Sequence, residues 1–221
     1  KVFVTGMIHG NFNDKKAIKN TNILLNALKS KPLSKEERYE QIVETMPNSK
    51  RYRFSREVKD NNNSLAYAIQ VGEKSPSLVA QVSMLASIVE SDFYTQMRTN
   101  QQLGYIVWSF QQRVEERIFF RLVIQSSTHG PFDMSKRVNT WLKSTDKLFS
   151  QLSDQEFERH RQALIVDLEK EGDSIGAVLG DLYALAIDEK GDFNYKKKLI
   201  KAVKEVKKED VISKARKVFL D

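Results

Sequence analysis

The chain has no cysteine and only three histidines and two tryptophans among its 221 residues. Without cysteine there is no disulfide and no thiolate to hold a metal. A zinc hydrolase needs about three protein ligands with a water in the open position. His9, His129 and His160 lie far apart in the sequence, and His9 and His129 stand beside Gly10 and Gly130, as turn residues do. His160 follows Glu156 by four residues, a spacing that puts both on one helix face; two ligands do not make a site, and a surface pair is the plainer reading. No apolar run approaches membrane length, and the start carries no secretory signal, so the compartment stays unassigned. No nucleotide loop, internal repeat or nucleophile elbow is present.

What is abundant is positive charge, a formal net of +7. It is not spread evenly. Residues 196 to 221 hold ten Lys/Arg against four Asp/Glu, and the rest is close to neutral. Leu199, Val203, Val206, Val211, Ala215 and Val218 give that segment an apolar side, broken near Glu209-Asp210. A solvated helix face explains this better than a phosphate-binding surface, and no basic–aromatic interleaving argues for nucleic acid.

The periodicities predict an α+β fold. Val2–Ile8 reads as a strand, and Asn13 caps a helix with Ala17, Ile18, Thr21, Leu24, Leu25 and Leu28 on one side. Ser34-x-x-Glu37 reads as a capping box for a short helix ending before Met46-Pro47. Tyr52, Phe54 and Val58 alternate as a strand, Asn61-Asn62-Asn63 turns, and Leu65, Tyr67, Ile69 and Val71 alternate on the return. Ser75 and Pro76 open a long helix carrying Leu78, Val79, Val82, Leu85, Ala86, Val89 and Phe93. Residues 105–112 and 117–126 form a hairpin around Glu115-Glu116. Helical stripes follow: Val138, Trp141, Leu142, Thr145, Leu148, Phe149 and Leu152, then Phe157, His160, Leu164 and Leu168 behind a Ser153-x-x-Glu156 box. Gly172 is expected to end that helix, and Gly176 and Gly180 to allow close packing. The sheet, mostly antiparallel, would use the strands near 52–58, 64–72, 105–112 and 117–126, with helices 76–98 and 136–152 on one face. If an edge is left bare, residues 2–9 would cover it, in cis or from a neighbouring chain.

The most informative stretch is the polar turn where the long helix meets the hairpin: Phe93, then Arg98-Thr99, then Gln102-Leu103-Gly104-Tyr105. A junction between two rigid elements can hold one cation and one phenol at fixed positions. Taken alone, Arg98 reads as a helix-end cation and Tyr105 as a strand aromatic. Together the run resembles the C-terminal half of the insulinase/pitrilysin zinc metallopeptidases, the inverted zincins. Ile8-His9-Gly10-Asn11 and Val123-Ile124-Gln125-Ser126 are weaker echoes of the same family, and the element order fits along essentially the whole chain.

The resemblance implies a fold like the insulinase/processing-peptidase-like metallohydrolase domain. Residues 1–31 would finish a preceding domain, 32–50 would be a linker, and 51–221 would be a C-terminal peptidase-like domain whose closing strand is missing. The family carries zinc in its N-terminal half on a His-x-x-Glu-His helix, and no such run occurs here. The zinc is therefore expected in the N-terminal half of a parent protein, which is this chain's partner, and the chain alone is expected to hold no metal and to be inactive. The resemblance further implies peptide hydrolysis in a cleft between the halves, with Arg98 holding substrate carbonyls and Tyr105 both contacting substrate and donating to the oxyanion. The alternative within the same superfamily is a structural or interaction subunit that kept the fold and lost the chemistry. Self-association through exposed sheet edges is a further expectation; a membrane partner is not.

Overall fold

The computed structural model describes residues 1–39, 41–47 and 50–220. Its backbone divides into two compact units: one of Lys1–Ile42 with Glu171–Tyr195, the other of Val43–Lys170 with the segment from Lys196 onward.

The second unit holds the sheet and the core. It contains β1 (Asn63–Glu73), α2 (Pro76–Tyr94), β2 (Ile106–Val114), β3 (Arg117–Ser126), α3 (Pro131–Gln151) and α4 (Asp154–Glu169), then α6 (Tyr195–Glu205) from its second residue and α7 (Lys208–Phe219). The strands are antiparallel in the order β1-β3-β2. Alternation along β3 sorts its side chains: Ile118, Phe120, Leu122 and Ile124 are buried in one cluster with residues of α2, α3 and α7. Aromatic rings join these layers. Phe93 of α2 meets Trp141 of α3 edge-on at 4.7 Å between centroids, and Phe120 of β3 meets Phe219 of α7 at 4.9 Å. The indole Nε1 of Trp141 donates to Asp92 Oδ2 at 2.7 Å, so the buried donor is satisfied. Tyr67 ties β1 to α3 through a 3.1 Å bond from its hydroxyl to Asn139 Oδ1.

The opposite face is partly shielded. Gln70 Oε1 accepts from the Met46 amide and Gln70 Nε2 donates to the Glu44 carbonyl, which lays residues 44–46 along β1. Trp108 and Phe110 on β2 remain exposed on that side.

The basic segment is two helices, α6 and α7, with Val203, Val206, Val211, Ala215 and Phe219 in the core. The break falls at Val206-Lys207, ahead of the expected Glu209-Asp210, because those two acids sit in the first turn of α7, where they complement the helix dipole. Lys201, Lys204, Lys208 and Arg216 form ion pairs with Glu205, Glu169, Asp154 and Asp146. The segment is a solvated, partly neutralised face, in line with the plainer sequence reading.

The first unit contains α1 (Asp14–Ala27) and α5 (Ile175–Tyr183). Asn13 caps α1 as expected, accepting from the Lys16 amide at 3.0 Å, and Ser174 caps α5. Neither helix contains a buried residue.

Several expectations need correction. Residues 2–9 form no strand: Val2 exchanges backbone bonds with Lys31 and Leu33 in an isolated bridge, and residues 3–9 carry no strand assignment. Residues 52–58 form no strand and are exposed, so among the described residues the sheet has three strands and not the four expected. Ser34 and Glu37 make half of the expected box, the Ser34 amide donating to Glu37, but only a turn follows at 35–38. The expected helix and linker also run over Glu40, Asn48 and Ser49, which lie outside the described residues. The helix behind Ser153 stops at Glu169, three residues before Gly172, and Gly172 is needed elsewhere: a Cβ there would lie 2.7 Å from the Val178 amide nitrogen. Gly180 has open space where a Cβ would go and Gly176 only an ordinary contact, so neither serves close packing.

Candidate functional site

α2 is built to deliver its C-terminus to one place. Ser75 Oγ accepts from the Leu78 amide at 3.2 Å, Pro76 sits in the first turn, and Val79, Val82, Leu85, Val89 and Phe93 are buried along one side. The α-helical bonding ends at Tyr94, not at Arg98. Thr95–Asn100 is a π-helical turn, closed by the Gln101 amide donating to the Gln96 carbonyl at 3.1 Å. Such one-turn insertions recur at functional sites because the extra residue re-aims the side chains that follow. Here Met97 stays in the core while Arg98 emerges half-buried.

The turn after it is tightly held. The Leu103 amide donates to the Met97 carbonyl at 2.9 Å, Leu103 is buried, and Gln102 takes a left-handed φ of 49°. Gly104 leaves no room for a side chain without a backbone shift: a Cβ would fall 1.7 Å from the Gln125 carbonyl oxygen, so the turn lies directly on the end of β3. The end of β3 is in turn fixed by Ser126, buried and accepting at Oγ from the amides of Thr128 (3.2 Å) and His129 (2.9 Å). Gln125 and Ser126, the last two residues of the Val123-Ile124-Gln125-Ser126 echo, thus lie against the turn.

The structure brings Arg98 and Tyr105 together. Arg98 Nη1 donates to the Tyr105 carbonyl oxygen at 2.8 Å, and the guanidinium carbon stands 4.7 Å from the centre of the Tyr105 ring. Tyr105 precedes β2 and is 81 % exposed, so its phenol is open to whatever approaches. Chemically, the pair offers a planar cation with several N–H donors beside a neutral O–H donor. Both can stabilise carbonyl oxygens and the negative charge that develops on one under attack.

Two contributors were missed from the sequence. Tyr94 places its ring 5.2 Å from the same guanidinium, so Arg98 has an aromatic on either hand. Its spacing of four from Arg98 on a helix was the available signal. The other is Arg137 of α3, whose Nη1 donates to Gln101 Oε1 at 3.1 Å and whose Nε donates to Asp133 Oδ2 at 2.8 Å. Nothing in the sequence pairs residues 36 apart.

His160 does not join this site. His160 Nδ1 meets Ser87 Oγ at 2.9 Å, between α4 and α2. Burial pushes the His160 pKa below its ordinary value, Arg159 adds to the effect, and Glu156 opposes it. Glu156 is engaged in the Ser153 capping box, which holds its carboxyl below the usual range. Among the described residues no group of three or more His, Asp or Glu could hold a metal ion. No helix among the described residues is long and apolar enough to cross a membrane.

The arrangement is an α+β domain with Arg98 against Tyr105 at one end of its sheet and no metal-ligand cluster among its described residues. Residues 84–181 match the family described as PQQ synthase PqqF-like, C-terminal lobe domain 4. A nardilysin-like protein of Arabidopsis thaliana is 27% identical over 220 residues, which cover 96% of this chain and 21% of the relative. Human insulin-degrading enzyme is 23% identical over 219 residues, again 96% of this chain and 21% of the relative. The crystal structure of pitrilysin superimposes with a TM-score of 0.66 at 22% identity, over 73% of this chain and 17% of pitrilysin. By sequence and fold the chain is similar to the C-terminal part of an insulinase-family metallopeptidase, as the Arg98–Tyr105 run implied. It spans about a fifth of the length of these curated relatives.

Proposed function

We propose that this chain is the non-metal C-terminal portion of a zinc metalloendopeptidase, supplying substrate binding and oxyanion stabilisation across a cleft from the N-terminal half of the same protein. The observation that carries the reading is the Arg98–Tyr105 pair, held by a π-turn and by a glycine packed directly on the Gln125 backbone. On this reading the zinc belongs to the N-terminal half, where it would activate the attacking water. Arg98 holds backbone carbonyls of the peptide with the N–H groups not engaged by Tyr105. The Tyr105 phenol donates to the oxyanion as the scissile carbonyl becomes tetrahedral. The chain alone, without a ligand set, hydrolyses nothing. Residues 1–31 act as the end of a preceding domain, 32–50 as a linker and 51–221 as the peptidase-like domain.

Arg98→Ala in the full-length parent tests the substrate-binding half of this proposal. Because Arg98 would touch ground-state substrate and the reacting carbonyl alike, KM should rise and kcat should fall, with kcat/KM reduced by about tenfold or more. Unchanged kcat/KM for a peptide substrate, at unchanged melting temperature, would remove Arg98 from the site.

A further inference from the structure

The turn that sets Arg98 against Tyr105 contains one left-handed non-glycine residue, Gln102, and its backbone bonds run from Gln101 to Gln96 and from Leu103 to Met97. A contact from outside the run, on α3, also reaches the turn. Arg137 uses two edges of one guanidinium, Nε on Asp133 Oδ2 (2.8 Å) and Nη1 on Gln101 Oε1 (3.1 Å). Asp133 is one turn before Arg137 on the same helix, so it sets the guanidinium plane and leaves the Nη1 edge aimed at Gln101. The core locks the helix behind them: Met134, Val138 and Trp141 are all buried. Gln101 lies three residues after Arg98 and four before Tyr105, so a shift at its side chain moves both.

We infer that Arg137, aligned by Asp133, is a positioning residue for the proposed peptide site. It acts on Arg98 and Tyr105 through Gln101 and touches no substrate itself. A bidentate guanidinium suits this task and a lysine does not, since an ammonium is a single point with no fixed plane. The inference rests on the proposed role of Arg98 and Tyr105. It adds that their geometry is imposed from α3, through a contact lying outside the run that carries the family resemblance.

The test is steady-state kinetics on a peptide with the full-length parent, using Arg137→Gln, Gln101→Ala, Arg98→Ala and the double variants Arg137→Gln/Arg98→Ala and Gln101→Ala/Arg98→Ala. Arg137→Gln and Gln101→Ala should each lower kcat/KM by about tenfold, since small misplacements of an orienting group are costly. In the Arg98→Ala background the same changes should cost clearly less than in the unsubstituted protein, because one of the two groups being positioned is already gone. Gln101→Glu, which keeps an acceptor for Arg137, should retain activity. Gln101→Ala serves as the arbiter if Arg137→Gln lowers the melting temperature. Normal kcat/KM in Gln101→Ala, or losses that simply add to that of Arg98→Ala, would overturn the inference while leaving the site reading intact. Near-normal activity in Arg98→Ala would overturn both.

Discussion

The two units differ in what their apolar residues do. In the unit of Val43–Lys170 and the segment from Lys196, the stripes of α2, α3 and α7 close on β3, and Val82, Met84, Phe120, Leu122 and Val138 have no exposed surface. In the unit of Lys1–Ile42 and Glu171–Tyr195, Ile18, Ile23, Leu24 and Leu25 of α1 and Ile175, Leu179 and Tyr183 of α5 all stay exposed. The sequence patterns of the helices are comparable, but only one set has a sheet to lie on. An amphipathic stripe states that a partner is needed, not that one is present. The Arg98–Tyr105 turn stands on the unit that holds the buried core.

The largest expected effect sharpens this contrast. Phe120→Ala removes a ring packed against Phe219 in the buried cluster and should cost about 3–5 kcal/mol of unfolding free energy. Leu24→Ala, on the exposed side of α1, should cost less than about 1 kcal/mol. Comparable losses by urea denaturation would contradict the division of the chain into a cored and an uncored unit. Next in size is Gly104→Ala. The added methyl meets backbone at 1.7 Å, which no rotamer change relieves, so about 1–3 kcal/mol is expected, together with loss of peptide hydrolysis in the parent. Wild-type stability and activity would mean that the turn does not lie on Gln125.

The smallest effect is a pH dependence. The folded pKa of His160 is lowered from its ordinary 6.5, mainly by burial, so the fold favours the neutral ring. Stability from this source is present above pH 6.5 and is lost as pH falls through the lowered folded value. Melting temperature should therefore decline as pH drops from about 6.5 towards 5, and His160→Gln should flatten that decline. A slope unchanged by His160→Gln would assign it to other groups.

How much of this was legible follows the same division. α2, the hairpin and α4 were readable because their signals are local: Ser75 with Pro76, alternation around Glu115-Glu116, and the Ser153–Glu156 box, which the structure forms in full. Val2–Ile8 and residues 52–58 have strand-like composition, but a strand exists only where another strand takes its backbone bonds; Val2 finds Lys31 and Leu33 instead. The end of α2 was misplaced by one turn because α and π bonding differ by a single residue of register, which side-chain periodicity does not record. Arg98 and Tyr105 were visible as a run and are in contact. Arg137 was not, since its bond to Gln101 exists only after α3 has folded onto the core.

The central claim is that Tyr105 donates to a developing oxyanion. Tyr105→Phe keeps the ring, and the Arg98 bond goes to the backbone carbonyl of that residue, so the variant should fold and hold Arg98 as before. Steady-state kinetics on a peptide, with the full-length parent and a melting curve as control, tests it directly. The account predicts that kcat and kcat/KM fall together by about 100-fold or more, with KM little changed. Turnover near that of the unsubstituted protein, at an unchanged melting temperature, would contradict it and leave this chain a structural half.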